Sequence, residues 1–160
     1  MHRKLKLSAA ATLLVVAAMV AAGATAGRTA APQRVAITSP HGNSAAFVLA
    51  PLAPGSVLQD SGTATACCWT RRFIRRDGQS IEIDNPLRTF EGKRGTFTWR
   101  ARIEWVDLDS GYSIGTGTWK IVRGTGAYAH LEGHGRIGIV TTANDQGVAN
   151  RAEGVVDLGR

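Results

Sequence analysis

The sequence predicts an all-β protein: a single small antiparallel β-barrel of about six to eight strands, preceded by a signal peptide. Three observations carry this. Short apolar runs alternate with turn chemistry from residue 45 onward, and no segment of any length has helical period. "TFTWRARIEWV" holds a strict period of two, with Phe97, Trp99, Ala101, Ile103 and Trp105 on one face and Thr98, Arg100, Arg102 and Glu104 on the other. Strands recurring at this spacing with glycine-rich turns form a sandwich or a small barrel, and closure into a barrel removes the exposed edges.

The chain opens "MHRKLKLSAAATLLVVAAMVAAGATAGRTAAPQR". Arg3, Lys4 and Lys6 form a basic start, Leu7 to Ala22 is uncharged and apolar, and Ala24-Thr25-Ala26 supplies small residues for cleavage. This pattern is that of a secretory signal peptide over residues 1–26. A retained anchor is the rival reading, since the run is nearly long enough to span a bilayer. The apolar residues are mostly alanine, which contributes little to insertion and favours cleavage. The expected location is therefore secreted, extracellular, with the mature chain starting near Gly27 and no transmembrane domain after cleavage.

The full chain has a formal net charge of +7, and loss of Arg3, Lys4 and Lys6 leaves +4. So modest an excess suits solubility and weak attraction to an anionic cell-envelope polymer, and no nucleic-acid module is recognisable. Arginine outnumbers lysine, a composition suggestive of a GC-rich bacterial genome. Beyond the signal, the chain is one domain's length. Residues 27–44 are expected as a linker or lead-in segment, with a lead-in strand around Val35 to Thr38, and residues 45–160 as the barrel.

Hairpins are readable in order. Asp77-Gly78 in "RRDGQ" is a favoured two-residue turn between "TATACCWTRRFI" and "SIEID". "DLDSGY" turns the Phe97–Trp105 strand into "SIGTGTWKIV", and "TTANDQGV" turns "RIGIVT" into "VANRAEGVVDL". Trp119 and Ile121 are expected on the apolar face of the partner strand.

Cys67 and Cys68 are adjacent and are the only cysteines. Neighbouring strand residues point to opposite faces, so two unpaired thiols are expected, at least one of them in the core. Arg71, Arg72, Arg75 and Arg76 should split between the faces of a strand at a solvated edge, where cations discourage edge pairing. Asp107 and Asp109 begin like a calcium loop, but the later bidentate acid is missing, and an Asx-turn explains them.

The segment "RGTGAYAHLEGHGR" raises the question of a ligand cradle. It lacks the helix and the Gly-Lys-Ser/Thr of a phosphate loop. Gly124, Thr125, Gly126 and Tyr128 are therefore read as a structural turn, with Gly124 and Gly126 supplying positive φ or close backbone approach. His130, Glu132 and His134 share a strand face, but flanking glycines leave them poorly preorganised as ligands, and no metal site is expected. No nucleophile elbow or metalloprotease motif is present. Glu82, Glu91 and Glu104 are available carboxylates, but nothing in the sequence brings two together.

"GTGTWKIVRGTGAYAHLEGHGR" resembles the allene oxide cyclase and dirigent group of eight-stranded, calycin-like β-barrels. There a strand ends in Val-Gly-Gly-Thr-Gly-x-Phe and is followed by Ala-x-Gly and another strand. Thr118 to Val122 matches the strand, Gly124-Thr125-Gly126 the glycine corner and Tyr128 the aromatic, while Arg123 replaces the first glycine. "DSGTATACCWT" and "GQSIEI" further resemble small exported bacterial proteins of unassigned activity. The resemblance covers roughly the last third of the chain and is carried mainly by glycines. It implies a barrel and no cofactor. The cyclases convert an unstable fatty-acid epoxide in the barrel cavity, and dirigent proteins steer radical coupling. No catalytic residue carries over, because fold does not transfer activity.

The expected function is non-catalytic binding of an apolar or amphiphilic ligand, or a cell-surface role. A cofactor-free isomerase or cyclase working in the cavity is the alternative. Trp99, Trp105, Trp119 and Glu104 are the ligand-binding candidates, and whether the interior is open or packed decides between a ligand site and a surface protein.

Overall fold

The computed structural model describes residues 31–159, apart from 41, 57, 109 and 143–146 and the side chains of 147 and 148. The signal segment, Asp109 and the centre of the "TTANDQGV" turn lie outside the described residues. Ten strands are formed: β1 (Gln33–Ser39), β2 (Ser44–Pro51), β3 (Asp60–Cys67), β4 (Arg71–Arg76), β5 (Gln79–Asp84), β6 (Leu87–Gly92), β7 (Gly95–Asp107), β8 (Tyr112–Gly124), β9 (Glu132–Thr142) and β10 (Gly147–Asp157).

All pairings are antiparallel, in the order β4-β5-β7-β6-β3-β2-β1-β10-β9-β8, and β7 also pairs with β8. That last pairing closes the sheet into an eight-stranded barrel. Ten strands fill eight positions because two of them are bent. β6 runs along the first half of β7, Leu87 opposite Arg100, and β5 along the second half, Asp84 opposite Ile103. Pro86 accounts for the break between β5 and β6, since it has no amide hydrogen for the ladder. β3 and β4 form the matching bent strand, pairing with β6 and β5 respectively. The Asp77-Gly78 turn joins β4 to β5 with φ of +52° and +80°, the mirror-image turn that suits hairpin twist.

β1 is a full member of the barrel: it pairs with β10 from Gln33 to Ser39 and with β2 from Val35 to Thr38. The barrel thus begins at Gln33 rather than Ala45, and the expected lead-in strand is the strand that joins β2 to β10. Without it, both would expose unpaired edges.

β7 buries Phe97, Trp99, Ala101 and Ile103 and exposes Arg100 and Arg102, so its period of two becomes an inside and an outside. The interior is filled from one end only. Phe90 stacks on Phe97 with centroids 4.6 Å apart, Phe47 and Trp99 meet the Phe90 ring edgewise, and Tyr128 meets Phe97 at 5.3 Å. Each such side chain contributes about 1.5–3 kcal/mol through burial. Leu58, Leu131, Val35 and Val156 complete this packed end.

The glycine corner lies at the same end. Gly126–Tyr128 forms a single 3₁₀ turn, and Gly126 takes φ of +59°. A Cβ on Gly124 would run into the Tyr128 carbonyl, so close backbone approach requires glycine there. Thr125 donates its amide to Thr96 O at 2.8 Å, and Ala127 donates to Arg94 O at 2.9 Å, which ties the corner to the β6–β7 turn. Tyr128 is wholly buried and Leu131 nearly so.

Cys67 and Cys68 are unbonded, and both are exposed, so neither thiol is in the core. The strand-alternation argument fails because β3 ends at Cys67, and Cys68 turns into a positive φ of +59°. The two thiols face one another, and the hydrogen bond from its neighbour pushes the Cys67 thiol's pKa up.

Candidate functional site

Opposite the packed end, the barrel opens into a cavity of about 460 Å³. That lies within the ~300–1,000 Å³ usual for small-molecule sites. Its apolar wall comes from the inward faces of β7 and β9: Trp99, Ala101, Ile103 and Trp105 from one, Ile137 and Ile139 from the other. Gly115 on β8 makes room for the Trp105 ring, since a Cβ there would lie 2.8 Å from Trp105 Cζ3. Trp69, 45% exposed, stands at the rim beside the β3–β4 bend.

The polar wall comes from the bent strands. Register places Glu82 opposite Trp105 and Asp84 opposite Ile103, so both carboxylates share the cavity face of β7. Arg71, opposite Asp84 on β4, serves both: its Nε lies 2.8 Å from Glu82 Oε1 and 3.0 Å from Asp84 Oδ1. Arg71 Nη2 also donates to Asp84 Oδ2 at 3.3 Å. Thr141 and Asn150, both buried, add polar groups from β9 and β10. Asp107 lines the upper wall and accepts a hydrogen bond from Ser113 Oγ at 2.6 Å.

Arg88 stands apart from this network. It sits opposite Trp99 in the β6–β7 register and is only 5% exposed. Its Nη2 reaches the Pro40 carbonyl at 3.5 Å, the outer limit of a hydrogen bond, and its Nε has no partner among the described residues. Among those residues it makes no ion pair. Burial lowers its pKa from the ordinary arginine value.

Trp99 and Trp105 therefore line the cavity together. Trp119 is buried beside Trp99 and donates its indole hydrogen to Arg136 O at 3.0 Å, away from the cavity wall. Glu104 points to the outer face, where Arg76 at 2.9 Å and Arg102 at 2.8 Å hold its pKa below the usual carboxylate value. His130, Glu132 and His134 are exposed at the packed end, and among the described residues no three metal-binding side chains converge.

Arg71, Glu82, Asp84 and Arg88 are not distinguished by sequence reasoning as members of one site. For Arg88 a signal exists: it shares parity with Phe90 in "PLRTFEG", which places a cation on an apolar face. No signal marks Asp84, whose orientation depends on the break at Pro86. Among the described residues, no helix is long and apolar enough to cross a membrane. No family model, curated protein or solved structure matches the chain.

Proposed function

We propose that this is a secreted, non-catalytic binding protein whose half-open barrel holds one small amphiphilic molecule. The carrying observation is the cavity itself: aromatic packing ends at the Trp99–Trp119 pair, and beside Trp99 the interior is open space with an apolar wall and a polar wall. A barrel required only for its outer surface gains from a filled interior, because voids forfeit contact energy. An open cavity with convergent polar groups is the usual form of a ligand site.

Asp84 is the buried carboxylate that a cofactor-free isomerase or cyclase in this cavity would use as its base. Each of its oxygens already accepts a hydrogen bond from Arg71, which favours binding over proton abstraction. Kinship with the allene oxide cyclase and dirigent group is part of the same proposal and rests on the glycine corner alone.

Calorimetric titration with decanol and with decanoate tests the reading. One saturable site is expected for at least one of them, and it should disappear in Ala66→Trp, which fills the cavity from β3, while the circular-dichroism spectrum stays unchanged. Absence of saturable binding for both probes would overturn it. Export is tested separately: N-terminal sequencing of protein from the culture medium should begin near Gly27.

A further inference from the structure

We propose that the ligand is a monocarboxylate with an apolar body, and that Arg88 is the residue that receives its carboxylate. This rests on the ligand-binding reading above and adds the chemical class of the ligand.

The protein supplies two arginines to the cavity and treats them differently. Arg71 is half-exposed and engaged by two carboxylates. Arg88 is buried, with one long hydrogen bond to a carbonyl and an Nε that has no partner among the described residues. A guanidinium offers five donors in a fixed fork and keeps its charge in proteins, so it does not escape burial by losing a proton. The Phe90 ring, 6.0 Å from the guanidinium carbon, offers only the weak attraction of a ring face at the limit of its range. A buried charge left in this state is completed by an anion entering the cavity that it lines.

The chemistry of that anion is set by its surroundings. A carboxylate matches one guanidinium edge by two parallel hydrogen bonds and cancels one charge. A phosphate dianion brings twice the charge to a cavity that already holds Glu82, Asp84 and Asp107, where among the described lining residues the other cation, Arg71, is already engaged. The body of the ligand meets Trp99, Ile103, Ile137 and Ile139, which favour an aliphatic or aromatic group over a sugar.

The test is calorimetric titration of the purified protein at pH 7 with decanoate, decanol and decyl phosphate. Decanoate should bind about tenfold or more tighter than decanol, the difference expected for a hydrogen bond to a charged group. Arg88→Met should abolish that preference, weakening decanoate far more than decanol. Arg88→Gln is the second variant, and an intact decanoate preference in whichever variant folds would overturn the assignment. Equal wild-type affinities for decanoate and decanol would also overturn it while leaving the binding reading standing. Tighter binding of decyl phosphate would overturn the carboxylate assignment in favour of phosphate. Failure of all three probes would remove the binding reading and this inference with it.

Discussion

Tyr128 donates its hydroxyl hydrogen to Asp60 Oδ2 at 2.7 Å, joining residues 68 apart in sequence across the packed end of the barrel. Asp60 also accepts the amides of Ser61, Lys93 and Arg94 at 2.8, 3.0 and 3.2 Å. One carboxylate at the start of β3 thereby holds the β6–β7 turn and the glycine corner together, and the aromatic column ends on that clamp.

The clamp should make stability depend on pH at both extremes. Burial raises the Asp60 pKa, but the hydrogen bonds from Tyr128 and the three amides outweigh it and hold the value below 3.8. Stability from a depressed carboxylate is present above its unfolded value and is lost as pH falls through the folded value. Tyr128 moves the other way: burial, then the bond to Asp60, raises its pKa above 10.0. Its contribution is intact below pH 10 and is lost as the pH rises toward the folded value. Tyr128→Phe should lower stability by about 1–3 kcal/mol and flatten the alkaline limb of the unfolding profile. Chemical denaturation from strongly acidic to strongly alkaline pH measures both effects. An unchanged alkaline limb in the variant would show that the hydroxyl plays no part.

Gly126→Val should be destabilising by about 1–3 kcal/mol, the usual range for backbone forced into a sparsely populated region. The φ of +59° disfavours a β-branched residue, and a Cβ would lie 2.8 Å from Arg94 O. His130→Ala and His134→Ala should leave the melting temperature nearly unchanged, as exposed substitutions do. Melting with zinc and with EDTA is the check: a metal-dependent shift that vanishes in the double histidine variant would make the histidines, rather than the glycines, the reason for this segment.

The barrel is legible in the sequence where one strand carries its own evidence. Trp99 to Ile103 alternates cleanly because one face is inside and the other in water, and Asp77-Gly78 marks a turn that few other pairs form. Legibility ends where geometry depends on a distant partner. The run "TATACCWTRRFI" reads as one strand, and nothing local reveals the bend at residues 68–70. β6 escapes because "LRTFEG" puts Arg88 on the inner face beside Phe90. The two tryptophans of the cavity are readable as large residues on an apolar face. The arginine among them carries only its shared parity with Phe90 as a signal, and a buried cation violates the pattern from which burial is usually read.

Native protein should expose two reactive thiols. Cys67 and Cys68 are both exposed and unbonded, yet the neighbouring thiol pushes the Cys67 pKa upward, first through a hydrogen bond. Because the thiolate is the nucleophile, labelling of Cys67 should accelerate severalfold in Cys68→Ala. Timed maleimide labelling with peptide mapping measures the rates. An intact-mass deficit of two hydrogens on this dipeptide would instead mean that the thiols are joined.

Arg88 should reduce the stability of the empty protein. Among the described residues, this buried guanidinium has one 3.5 Å hydrogen bond and no counter-charge to offset its burial. Arg88→Met keeps a long side chain beside Trp99 and Phe90 and removes the charge, so the empty variant should gain about 1 kcal/mol or more. The gain should register as a higher urea midpoint with an unchanged slope, since the surface exposed on unfolding barely changes. Addition of decanoate should reverse the ranking, because binding stabilises only the folded state that holds the ligand. A variant less stable than the wild type without ligand would mean that Arg88 is already satisfied in the empty barrel. Its cost would then be structural, and the cavity would have no unanswered charge to offer an acid.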